Sequence, residues 1–156
     1  MPPTACGTCD LLARRDRGEA PLWDSILRTE HWDVVHSFNT SLPGWLVLVV
    51  RRHVEAVAEL TEVEALELGA LQRQVSIALG AAVGCVKTYV VQFAEAAEHP
   101  HVHFHVIPRM PDLPAEARGP NVFQRYLGVS ESERVPEARM NAIAEAVRAS
   151  LLDGSL

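Results

Sequence analysis

Three histidines alternate with apolar residues in the run His99-Pro100-His101-Val102-His103-Phe104-His105-Val106-Ile107-Pro108-Arg109. On a strand, whose side chains repeat with a period of two, His101, His103 and His105 share one face about 7 Å apart, while Val102, Phe104 and Val106 enter a core on the other. Imidazole titrates nearest neutrality, so the cluster points to metal ligation or to a nucleophilic histidine with supporting neighbours. Incidental decoration is the weakest reading, because four of the seven histidines fall between His99 and His105. Cys6-Gly7-Thr8-Cys9 has the spacing of half a metal site or a redox pair. Tetrahedral zinc there would need two more ligands, usually histidine nitrogen. Cys85 reads as a small buried hydrophobe, and His31 and His36 as surface or sheet-edge residues.

The elements that must position these groups are legible from turns and periodicity. Asp10–Arg17 has helical potential and ends at Gly18 and Pro21. Ser25–Thr29, Asp33–Phe38 and the continuous apolar run Gly44–Val50 read as strands, the last as a buried central one. Short strands joined by tight turns, such as Ser41-Leu42-Pro43-Gly44, point to an antiparallel meander. Thr61-Glu62-Val63-Glu64 has capping-box spacing and predicts a long helix with Val63, Leu66, Ala70, Leu71, Val75, Ala78 and Leu79 inward, closed by Gly80 or Gly84. Glu62, Glu67, Arg73 and Gln74 lie on its opposite face. Val86–Phe93 returns to strand character before the loop Ala94–Glu98. Pro111–Pro120 is a proline-rich surface loop, a connector or a cover for the site, and Pro136–Leu152 is a terminal amphipathic helix.

At 156 residues, with 48% hydrophobic and 22% charged residues, the chain suits a single domain, residues 1–156, divided into an N-terminal Cys-X-X-Cys segment (1–20), the body, and a C-terminal loop and helix (110–156). A net charge of −6 argues against a broad grip on a nucleic-acid backbone, while a small anion needs only local donors. The opening residues lack a basic region followed by an apolar stretch, and no apolar run spans a bilayer, so a cytoplasmic protein without membrane attachment is expected.

Taken in order, Cys6 and Cys9, the Pro43-Gly44 turn with its apolar strand, Arg51-Arg52-His53, the helix after Thr61 and the alternating histidines through Ile107-Pro108-Arg109 resemble the histidine triad (HIT) family of nucleotidyl hydrolases and transferases. The resemblance covers about Cys6 to Arg109 and implies an α+β fold, a five-stranded antiparallel sheet with one long helix and a C-terminal helix, and a homodimer. It implies a nucleotide phosphohydrolase or nucleotidyltransferase acting at the α-phosphate of an adenine nucleotide, a dinucleoside polyphosphate or a nucleoside phosphoramidate, through a covalent nucleotidyl-histidine. By position His103 matches the nucleophile, His105 supports it, and Asn39, with Gln92 a weaker candidate, matches a substrate contact. Structural zinc on Cys6, Cys9, His53 and His101 is implied by zinc-bearing members, with His99 an alternative ligand.

Two positions depart from the pattern: Trp45 stands where many members carry histidine, and Ala96-Ala97-Glu98 stands where many carry Gly-Gln-Ser or Gly-Gln-Thr, which leaves His99 or Glu98 as proton donor to the leaving group. The His-Pro-His segment resembles related nucleotidyltransferases, so transfer to a phosphorylated acceptor also stays open. Two other readings stand beside this one. The chain would be a nucleotide-binding module without turnover, or a metal-dependent enzyme using the three histidines as ligands.

Overall fold

A computed structural model describes residues 5–153; residues 1–4, read above for a leader, lie outside the described residues. The strands are β1 (Leu27–Arg28), β2 (Trp32–His36), β3 (Leu46–Val50), β4 (Lys87–Val91) and β5 (His103–Arg109). All pair antiparallel, in the order β1-β2-β3-β5-β4. β3 is thus the central strand, as its unbroken apolar run requires. Its Leu46, Leu48 and Val50 enter one core and Val47 and Val49 the other. The first core packs Trp32, Val34 and Val106 against α2 (Glu62–Val83) and α4 (Glu137–Leu152). On the opposite face Val35 and Ile107 meet Leu12 of α1 (Gly7–Asp16) and Val122 of α3 (Asn121–Tyr126). Among the described residues, no helix is long and apolar enough to cross a membrane.

The histidine strand begins later than its alternation suggests. His101 lies in the bend before β5, where the Val102 N–H donates to the Val54 carbonyl at 2.8 Å and takes no part in the sheet ladder. Pro100, without an N–H, cannot extend the ladder backwards. Two imidazoles, His103 and His105, therefore share the strand face, and His101 points elsewhere. Pro108 is tolerated in β5 because pairing with β3 ends at Val106, leaving Pro108 opposite only Thr88 of β4.

The capping box forms as expected: the Glu64 N–H donates to Thr61 Oγ1 at 3.2 Å, the Thr61 N–H donates to Glu64 Oε2 at 2.8 Å, and Gly84 ends the helix. The buried face is rotated from the expected one, however. Glu64, Leu68, Leu71, Val75, Ala78 and Leu79 point inward, whereas Val63 is 59% and Leu66 69% exposed, with Ala70 also outside. Glu64 causes the rotation, since its carbonyl accepts from the Trp32 indole N–H at 3.0 Å and its carboxylate takes both Arg52 guanidinium bonds at 2.9 and 3.0 Å.

That Arg52 contact, with the Thr61 amide assisting, holds the Glu64 carboxyl down at about 2 against an ordinary 4.5. A depressed carboxyl stabilises the fold fully above its unfolded value and loses that contribution as pH falls towards its folded one. Because Arg52 is half exposed, the Glu64 contribution is about 1–2 kcal/mol at neutral pH. Glu64→Gln is expected to be less stable by that amount at neutral pH and to lose less between pH 4.5 and 2; urea titrations at neutral and acid pH check both.

Pro111–Pro120 is a packed connector, with Leu113 and Ala117 buried and the Gly119 N–H donating to the Tyr89 hydroxyl at 3.2 Å. The short α3 that follows was not legible in the sequence, because six residues do not display a helical period. Cys85 is partly buried against the α2 core. His31 is half-buried, its Nδ1–H donating to Glu67 Oε2 at 2.5 Å.

Candidate functional site

Strand register builds the floor of the site. Val35 lies opposite Val47, Val47 opposite His105 and His105 opposite Val91, while Asp33, Val49 and His103 form the next row. Side chains of one row stand about 5 Å apart, so two imidazoles continue an apolar valine floor. Over this floor is a cavity of about 490 Å³, bounded by Thr8 and Leu11 of α1, Ser37, Phe38 and Asn39 after β2, Phe93–Ala96 after β4, His99, and Phe123 of α3. A volume of this order suits a small organic ligand. Among the described residues the cavity lining has one arginine, Arg15, whose guanidinium is already committed to the Asp24 carbonyl at 2.9 Å, Asp24 Oδ1 at 2.8 Å and Asp33 Oδ2 at 3.4 Å.

Hydrogen bonds fix the ring nitrogens. His103 Nδ1–H donates to the His101 carbonyl at 2.7 Å, leaving the Nε2 lone pair free. Burial lowers its pKa, outweighing that bond, so the ring is neutral near neutral pH. His105 has the opposite arrangement: Nδ1 accepts from the Trp45 indole N–H at 3.0 Å. Burial, then the adjacent His103, push its pKa to about 3. His36 is no surface residue. It is 1% exposed, with Nδ1–H donating to the Ser37 carbonyl at 2.8 Å and Nε2 accepting from the Gly44 N–H at 3.0 Å, and burial lowers it to about 4. This contact holds the Pro43-Gly44 turn, where Gly44 has φ +90° and an added Cβ would lie 3.1 Å from Val83.

A second centre lies behind the first. Cys6, Cys9, His53 and His101 bring one ligand atom each within 4.8 Å of one another. His101 Nε2–H donates to the Val50 carbonyl at 2.7 Å, so Nδ1 presents a lone pair to Cys9 Sγ at 3.6 Å, Cys6 Sγ at 3.7 Å and His53 Nδ1 at 3.2 Å. Cys9 Sγ lies 3.3 Å from His53 Nδ1. Zinc bond lengths in a tetrahedron require N–N and S–N edges of about 3.3–3.6 Å, so the donor set fits that ion. His53 Nε2–H faces Glu55 Oε1 at 3.4 Å, an outer partner of the kind that orients ligating imidazoles. Burial and the neighbouring Cys6 push the Cys9 thiol up to about 11, so paired thiolates here call for a compensating cation.

Comparison with solved structures returns histidine triad proteins. A histidine triad protein from Marinobacter aquaeolei VT8 is 21% identical, with a TM-score of 0.67 over 83% of this chain and 88% of that one. A hypothetical histidine triad nucleotide-binding protein from Sulfolobus tokodaii strain7 is 17% identical, with a TM-score of 0.67 over 93% of each chain. The chain has the histidine triad fold. A zinc-bound histidine triad family protein from Mycobacterium smegmatis is also similar, at 15% identity and a TM-score of 0.66 over 96% of this chain and 94% of that one. No family model and no curated protein matches the sequence.

On this histidine triad scaffold the expected site residues divide by location. His103, His105, His99 and Asn39 line the cavity, while Gln92 and Glu98 do not. His101 joins the cysteines and His53, and His99, whose Nδ1 is 2.9 Å from Thr8 Oγ1, stands outside that group. Gly7 makes this approach possible, since an added Cβ would lie 2.8 Å from the His99 ring. The motif reading missed His36, Thr8 and Phe123. His36 reads as a surface or sheet-edge residue in the sequence, Thr8 lies between two cysteines that dominate its segment, and Phe123 arrives on the helix that lacks a periodic signal.

Proposed function

We propose that this chain binds a nucleotide in the valine-floored cavity and transfers the nucleotidyl group to His103. The observation that carries the reading is the 2.7 Å bond from His103 Nδ1–H to the His101 carbonyl, which leaves Nε2 as the attacking lone pair. Attack forms a bond between Nε2 and the α-phosphorus as the bond to the leaving group breaks. His99, at the cavity wall and held by Thr8, supplies the proton to the leaving atom. Water then attacks phosphorus, forming a P–O bond as the P–N bond breaks and releasing the nucleoside monophosphate, or a phosphate oxygen of a phosphorylated acceptor attacks in its place and carries the nucleotidyl group away. Val35, Val47, Val49 and Leu11 offer the apolar surface for the base and Asn39 a polar contact for the sugar.

The charge around the cavity favours one substrate class over the other. A dinucleoside polyphosphate would bring several phosphates to a wall whose single arginine is engaged by two carboxylates, with Glu95 also present. A nucleoside phosphoramidate has one phosphate and fits better. Adenosine 5′-phosphoramidate is therefore expected to turn over with a kcat/KM at least tenfold above diadenosine polyphosphates, as chromatography of the products would measure; the reverse order would refute this preference. Absence of product with tight AMP binding would favour the binding module, the reading to which exposed Ala96 and Ala97 in place of polar groups lend weight.

Cys6, Cys9, His53 and His101 are the proposed zinc ligands. Bound there, zinc is closed by four protein donors and supplies a structural tie between α1 and the segment before β5. A homodimer is proposed through the edge strand β4, whose Val90 is 41% exposed, and the adjoining outer stripe of α2, Val63, Leu66, Ala70 and Ile77. Ser76 Oγ and Thr88 Oγ1, 2.8 Å apart, join the helix and strand into one surface. An open strand edge flanked by apolar residues is a pairing site. Sedimentation is expected to give a dimer for the native chain and a monomer for Leu66→Glu/Val90→Lys; a native monomer would overturn the assignment.

A further inference from the structure

Trp45 places an indole where many histidine triad members carry an imidazole. Trp45 is fully buried and its ring meets His105 edge-on, with centroids 5.7 Å apart. Its Nε1–H donates to His105 Nδ1 at 3.0 Å. An indole nitrogen donates and never accepts, so with this bond in place Nδ1 of His105 must be the unprotonated nitrogen. In the neutral ring the proton then resides on Nε2. Histidine at position 45 would lack this constraint, because imidazole donates from one nitrogen and accepts at the other, and two facing imidazoles can exchange the tautomers of both.

We propose that Trp45 is a positioning residue that locks His105 in the Nε2–H tautomer, making His105 a fixed neutral hydrogen-bond donor in the site and not a carrier of protons. The packing enforces the lock. Phe123 closes on both rings, 5.2 Å from the His105 centroid and 5.2 Å from that of Trp45, with interplanar angles of 88° and 89°, so a ring flip of either residue is obstructed. Val47 stands beside His105 in the sheet and denies it another polar partner on that side. His103, with ring centroid 5.0 Å away, has its own Nδ1–H committed to the His101 carbonyl.

The two triad imidazoles on β5 thus carry opposite tautomers: His103 offers a lone pair at Nε2, and His105 a proton at Nε2. That pairing suits a nucleophile beside a donor to a phosphoryl oxygen, a role that rests on the proposed nucleotidyl transfer. The lock itself does not depend on it. With Nδ1 blocked, His105 cannot receive a proton without breaking the Trp45 bond, so proton traffic in the reaction passes through His99 and solvent.

Long-range proton–nitrogen correlation spectra of protein labelled with ¹⁵N-histidine read the tautomer directly, with no substrate present. The native chain is expected to show His105 protonated at Nε2 alone, and Trp45→Phe, which keeps an aromatic ring without the donor, to lower the ratio of Nε2–H to Nδ1–H forms roughly five- to tenfold. A native His105 protonated at Nδ1, or a Trp45→Phe spectrum identical to the native one, would overturn the proposal. Should Trp45→Phe not fold, the native spectrum alone decides. AMP added to the native protein separates this inference from the functional reading: an unmoved His105 signal with the Nε2–H tautomer intact contradicts nucleotide binding and leaves the lock standing.

Discussion

Replacing His103 with alanine is expected to lower kcat for adenosine 5′-phosphoramidate by on the order of 10⁴-fold or more, while AMP still binds within a few-fold. The asymmetry follows from where the residue acts. On the proposed reading, binding draws on Val35, Val47, Leu11 and Asn39, which the substitution leaves in place although it trims the floor beside Val49, whereas the covalent step depends on one lone pair. The lost ring faces the cavity, and its one hydrogen bond is to a backbone carbonyl, so removal costs little stability. Burial keeps the His103 pKa below the ordinary 6.5, so the attacking form persists on the acid side of neutrality. Steady-state rates together with calorimetric AMP binding measure both halves. Equal losses in kcat and affinity would indicate damage to the cavity and argue against a nucleophile.

The second large effect lies in the metal cluster. Cys6→Ser or Cys9→Ser is expected to remove about one equivalent of zinc per chain and to lower stability by about 4 kcal/mol, roughly 8–16 °C in Tm for a domain of this size. Structural zinc binding is coupled to folding, and here it would clamp the start of α1 to the bend before β5. Cys6 is also the N-cap of α1, its Sγ accepting from the Cys9 N–H at 3.4 Å, so its replacement loosens a helix start that carries Thr8 and Leu11 to the cavity. Elemental analysis of protein purified without added metal, followed by thermal melts with and without chelator, tests the assignment. A native chain without zinc whose melting is indifferent to chelator would contradict it.

The fold was legible wherever one local signal sufficed: the capping box at Thr61 and Glu64, the apolar run that became the central strand, and the alternation that sends Phe104 and Val106 away from His103 and His105. It was less legible where tertiary contacts chose between local options. The inward face of α2 turned on Glu64, a charged residue buried by Arg52, Thr61 and Trp32, and hydropathy alone assigned Val63 and Leu66 to the core. Alternation placed His101 with its neighbours on one strand, and the hydrogen bond of Val102 to Val54 removed it. His36 was read as a surface group because nothing local reveals that the Gly44 amide and Ser37 carbonyl satisfy its ring. For the candidate site, residue types and spacing singled out the histidine run and the Cys6, Cys9 pair, whereas His53 and His101 as partners of the cysteines and Asn39 as a cavity residue came from the resemblance to the histidine triad family. The tautomers that distinguish their chemistry come from partners distant in the chain, Trp45 and Val50 among them.

The covalent step is the centre of the account, and intact-protein mass spectrometry after rapid acid-free quenching of a reaction with adenosine 5′-phosphoramidate tests it most directly. A transient adduct with the mass of one adenylyl group is expected, mapped by fragmentation to His103, labile to acid, and absent from His103→Ala. Turnover that proceeds with no adduct at any time point, or an adduct mapped to another residue, would contradict it.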